Sequence, residues 1–171
     1  MKERISTAAP SAPDAGGRAG KYLTFSLAGE EYGISILRIK EIIGMMPITS
    51  VPQTPDYVKG VINLRGKVIP VIDLRLRFHL PFRDYMERTC IVVVEINGQS
   101  GTVKIGIVVD AVSEVLNIKS EDIENAPAFG VRLNTDYILG MARMGSNVKM
   151  LLDIGVILSA DDMGISEQKA A

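Results

Sequence analysis

The sequence predicts an all-β protein in which two small β-barrels of about five strands each lie side by side. Three observations favour this fold class. Most apolar segments are short and rich in β-branched residues, convincing helical patterns are scarce, and one unit of roughly 55–65 residues occurs twice in the same order. So few residues per unit favour a closed or nearly closed barrel, because closure removes unpaired strand edges.

The clearest strand signals lie in two hairpins. Residues 21–28 (KYLTFSLA) alternate apolar and polar side chains, which is typical of a strand with one buried face. Residues 90–96 (CIVVVEI) are almost continuously apolar and β-branched, so this strand is expected to be buried on both faces. The dipeptide Asn97-Gly98 is a strong hairpin signal between that strand and residues 102–109.

Proline and capping residues mark further features. Pro70 lies within the apolar segment 67–72 and predicts a strand at a sheet edge or at a bulge, because proline has no N–H group to donate to a neighbouring strand. Ser120 could cap one short helical turn, and Asp153 could begin another that runs through Leu158. Helix is therefore expected only as short turns.

The internal repeat is the most informative feature of the chain. Residues 56–74 align without a gap on residues 136–154, which follow 80 positions later. Upstream, residues 33–43 align on residues 106–116 with an offset of 73. Both alignments occur in the same order along the chain, which indicates a duplicated structural unit. A groove between two such barrels is a common place for a ligand.

The repeat divides the chain into two units between polar ends. Residues 1–20 are rich in alanine, proline and glycine and are expected to form a disordered tail. The first barrel is assigned to about residues 21–83 and the second to about residues 84–160, and an exchange of strands between them is left open. Residues 161–171 are predicted to form a second tail.

The composition excludes several function classes. The 171 residues include 19 basic and 20 acidic side chains, so no basic excess is present to bind a nucleic-acid backbone. The single cysteine, Cys90, excludes an intramolecular disulfide and a cysteine-based zinc cluster, and the single His79 leaves little for a histidine-ligated metal. No stretch has the length and hydrophobicity of a membrane span, which favours a soluble cytosolic protein.

Sequence motifs of the common enzyme classes are absent. Glu41 and Glu114 could form a catalytic carboxylate pair, but they occupy equivalent positions of the repeat, which favours a structural or partner-facing role. Asp73 and Asp153 are also equivalent, and each follows an apolar strand, where a carboxylate can accept N–H groups of the next turn. We therefore expect no enzyme activity and no cofactor, with catalysis by the glutamate pair as the alternative.

Two features suggest a binding surface. The segment 34–43 has more β-branched aliphatic residues than one strand face of a small barrel can bury, so some of them, with Ile36 among the candidates, could line a groove. Arg65 stands in a tight loop between two apolar strands. It is either an exposed anchor for a partner or a buried partner of a carboxylate such as Glu41.

Three segments resemble the CheW-like domain family of bacterial chemotaxis adaptors. They are EEYGISILRIKEIIG (30–44), TPDYVKGVINLRGKVIPVIDLR (54–75) and GIVVDAVSEVL (106–116). The run NLRG-x-x-x-P-[VI]-[IV]-D-L is highly specific for that family when it follows the upstream E-x-Y-x-I segment. The resemblance extends from about Tyr22 to about Leu158.

The resemblance implies two five-stranded SH3-like barrels without enzymatic activity. Members of the family couple the cytoplasmic tips of chemoreceptors to the histidine kinase CheA, whose regulatory domain is itself CheW-like. Receptors are expected to bind in the apolar groove between the barrels, and the kinase is expected to bind through barrel ends. The protein would then be cytoplasmic and recruited to membrane-bound receptor arrays, where it could also self-associate weakly in rings.

The resemblance also assigns candidate partner-binding residues, without separating receptor-facing from kinase-facing positions. Four residues of the first unit match family positions tied to partner binding, and three residues of the second unit could line the groove. The first group is Ile39, Glu41, Gly60 and Arg65, and the second is Ile91, Val112 and Val115. Ile36, from the aliphatic segment described above, completes the candidate set.

Two alternatives keep the fold and change its use. The adaptor could serve a chemotaxis-like pathway that controls pili or gene expression, which sequence inside the domain rarely distinguishes. The chain could also be a fragment of a larger signalling protein, but it contains no nucleotide-binding box and no receiver module, and a free-standing adaptor is the favoured interpretation.

Overall fold

Strands account for most of the described part of the chain. The computed structural model describes residues 18–98, 101–126 and 136–158. The strands are β1 (Gly20–Leu27), β2 (Glu30–Ser35), β3 (Ile39–Gly44), β4 (Val58–Leu64), β5 (Lys67–Asp73), β6 (Cys90–Gly98), β7 (Gly101–Val109), β8 (Ala111–Ile118), β9 (Ile123–Glu124), β10 (Ile138–Met144) and β11 (Asn147–Leu152). Two short α-helices, Leu74–Arg77 and Ile154–Ile157, and two 3₁₀ turns, Ile36–Arg38 and Ser120–Asp122, connect them.

The predicted tails lie mainly outside the described residues, which begin at Arg18 and end at Leu158. Residues 18–20 differ from the prediction. Arg18 donates hydrogen bonds to Asn125 Oδ1 at 2.9 Å and to the Leu139 carbonyl at 3.1 Å, and β1 begins at Gly20. The N-terminal tail was therefore predicted to extend too far, because a sequence rich in glycine and alanine gives no sign of contacts made more than 100 residues away.

The strands form two sheets. The five-stranded sheet has the order β3-β6-β7-β5-β4, and the six-stranded sheet has the order β8-β1-β2-β11-β10-β9. Paired strands are antiparallel except for β5 with β7 and β11 with β2, which are parallel. This confirms the predicted all-β fold with two small barrels and short helical turns. The sixth strand is the two-residue β9.

The two repeat units exchange strands. β1 and β2 of the first unit belong to the six-stranded sheet, whereas β6 and β7 of the second unit belong to the five-stranded sheet. A border near residue 84 therefore does not separate the sheets, and the exchange that the sequence left open is present. Because both units offer equivalent strand edges, similarity between them cannot determine which copy a hairpin joins.

The pairing registers reproduce the sequence repeat. Val71 lies opposite Gly106 in the parallel pair of β5 and β7, and Leu151 lies opposite Gly33 in the parallel pair of β11 and β2. These four positions are related by the same offsets, 80 and 73, that align the two halves of the sequence. The duplication therefore extends from the sequence to individual strand contacts.

Apolar residues form three clusters. Within the described residues, a central core takes side chains from both sheets, including Phe25 of the six-stranded sheet and Val92 of the five-stranded sheet. Each sheet also has its own smaller core, around Val71 in the five-stranded sheet and around Leu151 in the six-stranded sheet. Successive residues of β6 alternate between the central core and the smaller core, which confirms that this strand is buried on both faces.

The two repeat-equivalent aspartates cap short helices as predicted. Asp73 accepts a hydrogen bond from the backbone N–H of Arg75 at 3.0 Å, and Asp153 accepts one from Gly155 at 3.1 Å. A carboxylate at this position satisfies N–H groups that have no partner inside the helix. The aspartates therefore have a structural role at the ends of β5 and β11.

Two local predictions need correction. β5 lies between β7 and β4, so Pro70 is not in an edge strand, and the bulge of the β4–β5 pair lies in β4 between Val58 and Gly60 rather than at Pro70. Its pairing with β7 begins only at Val71, and the missing N–H group therefore leaves no gap in the ladder. Ser120 begins a 3₁₀ turn but does not cap it, because the capping position is Lys119, which makes no side-chain hydrogen bond to the turn.

Candidate partner-binding site

Glu41 and Arg65 form an ion pair at the tip of the β4–β5 hairpin. Arg65 Nη2 contacts Glu41 Oε2. The turn places Arg65 at a φ of 54° and Gly66 at 87°, the left-handed conformation that two-residue hairpin turns favour. The Arg65 side chain is 69% exposed although it pairs with Glu41, the carboxylate that the sequence suggested. The alternative of a buried arginine is excluded.

A cavity of about 280 Å³ lies beside this ion pair. Its walls come from β3, the β4–β5 hairpin, β6 and β7. Three apolar side chains contribute to it, and the remaining lining is charged. The lining residues are Lys40, Glu41, Leu64, Arg65, Lys67, Ile69, Val93 and Lys104.

Gly60 has a structural reason to be glycine. It is buried, its φ is +142°, and a Cβ atom added there would lie 2.0 Å from the Thr49 carbonyl oxygen. The neighbouring Val61 pairs with Thr49 through hydrogen bonds of 2.9 Å in both directions. Gly60 therefore allows residues 49–50 to cross β4 closely, and any effect of this position on a partner acts through the backbone.

Four other candidate residues are at least partly exposed, so they could line a groove. Ile39 and Val112 are related by the repeat, and both lie partly buried against the central core from different sheets. Ile36 also packs against the central core from its 3₁₀ turn. Val115 lies on β8 and is 49% exposed. Ile36, Ile39 and Val112 form an aliphatic rim along the central core, and Val115 adds an exposed aliphatic side chain on β8.

Ile91 is wrongly predicted as a groove residue. Its side chain is fully buried in the core of the five-stranded sheet, together with Val93 and Ile62. A Cβ atom added at Gly106 would lie 2.7 Å from Ile91 Cγ2, which shows how closely β7 packs on it. The side chain therefore offers no surface to a partner.

The sequence did not single out the surface around Leu37. This side chain is 89% exposed beside a cavity of about 610 Å³ whose lining includes Ile36, Arg38 and Ile154. Ser35 Oγ accepts a hydrogen bond from the Leu37 N–H at 3.3 Å and caps the 3₁₀ turn. Ser35 as a possible cap was the available signal, but the strand-like pattern that includes Ile36 and continues on both sides concealed it.

A third cavity, of about 320 Å³, occupies the equivalent place in the other repeat, where Asp110 replaces Leu37. Tyr85 donates a hydrogen bond to Asp73 Oδ2 at 2.9 Å in this cavity. Burial, the charge of Asp73 and this hydrogen bond all raise the pKa of Tyr85, which is therefore a neutral donor at physiological pH. The two related cavities thus differ in charge, since seven charged residues line this one and three line the cavity beside Leu37.

The geometry gives no catalytic constellation in the described residues. Glu41 and Glu114 lie on β3 and β8 in different sheets, and Glu41 is bound to Arg65, which argues against the carboxylate pair of the enzyme alternative. No group of three or more His, Cys, Asp or Glu side chains in this part of the chain could hold a metal ion. Among the same residues, no helix has the length and hydrophobicity needed to cross a membrane.

Two small barrels with an exposed ion pair and an aliphatic rim define a protein-binding module. The CheW-like domain model matches residues 21–162. The chain is 41% identical over 150 residues to the chemotaxis protein CheW of Klebsiella aerogenes, with 88% of each chain covered. It is 33% identical over 142 residues to CheW of Bacillus subtilis, covering 82% of this chain and 88% of the relative.

A solved structure agrees with these matches. The crystal structure of the scaffolding protein TtCheW from Thermoanaerobacter tengcongensis is 37% identical and superposes with a TM-score of 0.72, covering 82% of this chain and 93% of that one. The chain therefore belongs to the CheW-like domain family. Its function is that of a non-catalytic chemotaxis scaffold, as the resemblance implied.

Proposed function

We propose that this chain couples the cytoplasmic tips of chemoreceptors to the regulatory domain of the histidine kinase CheA, and so supports kinase regulation in receptor arrays. The observation that carries the proposal is the exposed Glu41–Arg65 ion pair on a CheW-like fold. The protein is then cytoplasmic and reaches the membrane only through the receptors it binds.

We assign the kinase contact to the hairpin tip. The positive φ of Arg65 fixes the direction of the side chain from the backbone, and Glu41 holds the guanidinium from one side. An arginine already held in one orientation loses less conformational entropy when it binds, which favours its use as an anchor. Much of its surface remains exposed for a carboxylate or carbonyl group of the partner.

We assign the receptor contact to the aliphatic rim of the central core, formed by Ile36, Ile39 and Val112, together with the exposed Val115. An amphipathic receptor helix can place apolar side chains against such a rim. Burial of three or four aliphatic side chains contributes about 1.5–3 kcal/mol each. After the costs of association this corresponds to modest affinity, so stable arrays would depend on many repeated contacts.

Calorimetric titration with the CheA regulatory domain and with a receptor tip fragment tests these assignments. Arg65→Ala should weaken kinase binding at least tenfold and leave receptor binding unchanged, whereas Ile39→Asp should do the reverse. Arg143→Ala is a matched control, because Arg143 is also an exposed arginine in contact with a carboxylate, Glu124 at 3.1 Å. The control should bind both partners normally.

Each outcome has a distinct meaning. If Arg65→Ala weakens receptor binding alone, the two assignments must be exchanged. If both variants bind both partners normally, the site lies elsewhere on the surface. If the wild-type chain binds neither partner, the coupling function is rejected for this protein.

A further inference from the structure

The cavity beside Glu41 and Arg65 carries an excess of positive charge. Four cations line it against one lining carboxylate: Lys40, Arg65, Lys67 and Lys104. Arg65 is neutralised by Glu41, and Lys40 contacts the nearby Glu95 at 2.9 Å. Within residues 18–98, 101–126 and 136–158, neither Lys67 nor Lys104 has a carboxylate at ion-pair distance. The whole chain has a net charge of −1, so this excess is local.

The strands hold these lysines close together. The register of β3 against β6 shifts between Ile39 and Glu41, which makes Lys40 the extra residue of a bulge. Lys104 lies directly opposite Glu95 in the pairing of β7 with β6. The hydrogen bonds from Lys40 and Thr102, together with the charges of Lys40 and Lys104, lower the pKa of Glu95.

The fold does not require cations at these positions. At the repeat-equivalent positions, which all lie in the six-stranded sheet, Lys40 corresponds to Ser113, Lys67 to Asn147 and Lys104 to Glu31. The equivalent hairpin and strands form there without the lysines, and at one position the charge is reversed. Like charges brought together on a surface lower stability slightly, so folding does not explain the cluster.

We propose that Lys40, Lys67 and Lys104 form a docking surface for a protein face with closely spaced carboxylates. This inference rests on the proposed function and adds the chemistry of the face that meets the hairpin tip. Lys67 and Lys104 attract the acidic face before contact, and Arg65 then anchors it. Exposed charges of this kind increase the rate of association more than they slow dissociation.

Association kinetics at low and high salt test the proposal, with the CheA regulatory domain and the receptor tip fragment as separate probes. Lys67→Gln and Lys104→Gln should each lower the association rate constant for the CheA regulatory domain by about 3- to 10-fold at low ionic strength and leave that for the receptor tip fragment unchanged. Their effects should nearly vanish at about 0.5 M salt, because exposed charges are then screened within about 4–5 Å. Dissociation should change little. A loss toward the receptor fragment alone would overturn the assignment of this surface to the kinase.

Lys119→Gln is the control. Lys119 is an exposed lysine outside the cluster, and its substitution removes the same charge. It should leave both association rates near the wild-type value. If the cluster variants and the control behave alike while wild type binds both partners, the charge proposal is overturned and the coupling function remains. If wild type binds neither partner, both fail. Salt-sensitive self-association that Lys67→Gln abolishes, without any change toward the two partners, would replace the proposal with a contact between copies.

Discussion

Arg75 binds Asp110 through two hydrogen bonds, from Nε to Oδ1 and from Nη2 to Oδ2, each 2.9 Å long. Asp110 also accepts the backbone N–H of Ala28 at 2.9 Å. Arg75 lies in the helix that follows β5 of the five-stranded sheet, whereas Ala28 lies in the turn between β1 and β2 of the six-stranded sheet. One carboxylate therefore connects the two barrels.

Removal of the arginine should destabilise the protein. The Arg75 side chain is only 11% exposed and Asp110 is 26% exposed, so Arg75→Ala leaves a partly buried carboxylate without its main partner. We expect a loss of about 2–4 kcal/mol in the free energy of unfolding, measured with urea. Arg143→Ala, which breaks an exposed pair, should cost at most about 1 kcal/mol. Equal losses in the two variants would contradict this account.

Acid should weaken the same contact. Burial alone raises the pKa of Asp110, but the hydrogen bonds from Arg75 and the Ala28 N–H outweigh it, so the folded-state pKa lies below its ordinary value. A carboxyl of this kind stabilises the folded state above its unfolded pKa of about 3.9, and the stabilisation is lost as pH falls through the folded-state pKa. The stability deficit of Asp110→Asn should therefore be large at pH 6 and shrink below about pH 4. A deficit that is independent of pH would contradict the prediction.

A methyl group at Gly60 should be far more costly than one at Gly66. Both glycines have positive φ, which is unfavourable for alanine by roughly 1 kcal/mol. Only Gly60 would also bring a Cβ atom to 2.0 Å from the Thr49 carbonyl oxygen, whereas nothing lies within 4 Å at Gly66. Chemical denaturation should show Gly60→Ala losing at least about 2 kcal/mol more than Gly66→Ala. Similar losses would show that residues 49–50 can move away.

Substitutions at Ile91 and Val115 should have different effects, the first on stability and the second on receptor binding. Ile91→Ala creates a cavity in a fully buried core and should cost about 2–5 kcal/mol, with normal receptor affinity for the folded fraction. Val115→Ala removes an exposed side chain and should cost less than about 0.5 kcal/mol while weakening receptor binding. Thermal unfolding and titration of both variants test this. Reduced receptor affinity of folded Ile91→Ala would restore this residue to the site.

The sequence predicted features that depend on nearby residues or on the repeat. The two capping aspartates, Asp73 and Asp153, and the strand buried on both faces follow from local patterns and are present. That same strand pattern argues against Ile91 as a surface residue, whereas the family resemblance places it in the groove. A continuously apolar strand leaves no exposed side for such a residue.

Features that depend on pairing between distant segments could not be predicted. The hairpin of β1 and β2 could pair with an equivalent strand edge in either unit, and the sequence cannot distinguish these two edges. The lysine cluster combines side chains from β3, β5 and β7, which come together only through the sheet order. The exposure of Arg65 likewise depends on the turn conformation and on the position of Glu41 in another strand.

Kinase activity in reconstituted receptor membranes tests the coupling function most directly. CheA autophosphorylation would be measured with receptor-containing vesicles, with and without the purified chain, and with and without receptor ligand. We predict that the chain strongly stimulates the kinase and makes its activity respond to the ligand, whereas Arg65→Ala does neither at the same concentration. Kinase activity that is unchanged by the wild-type chain, although both partners are active with another adaptor, would contradict the account.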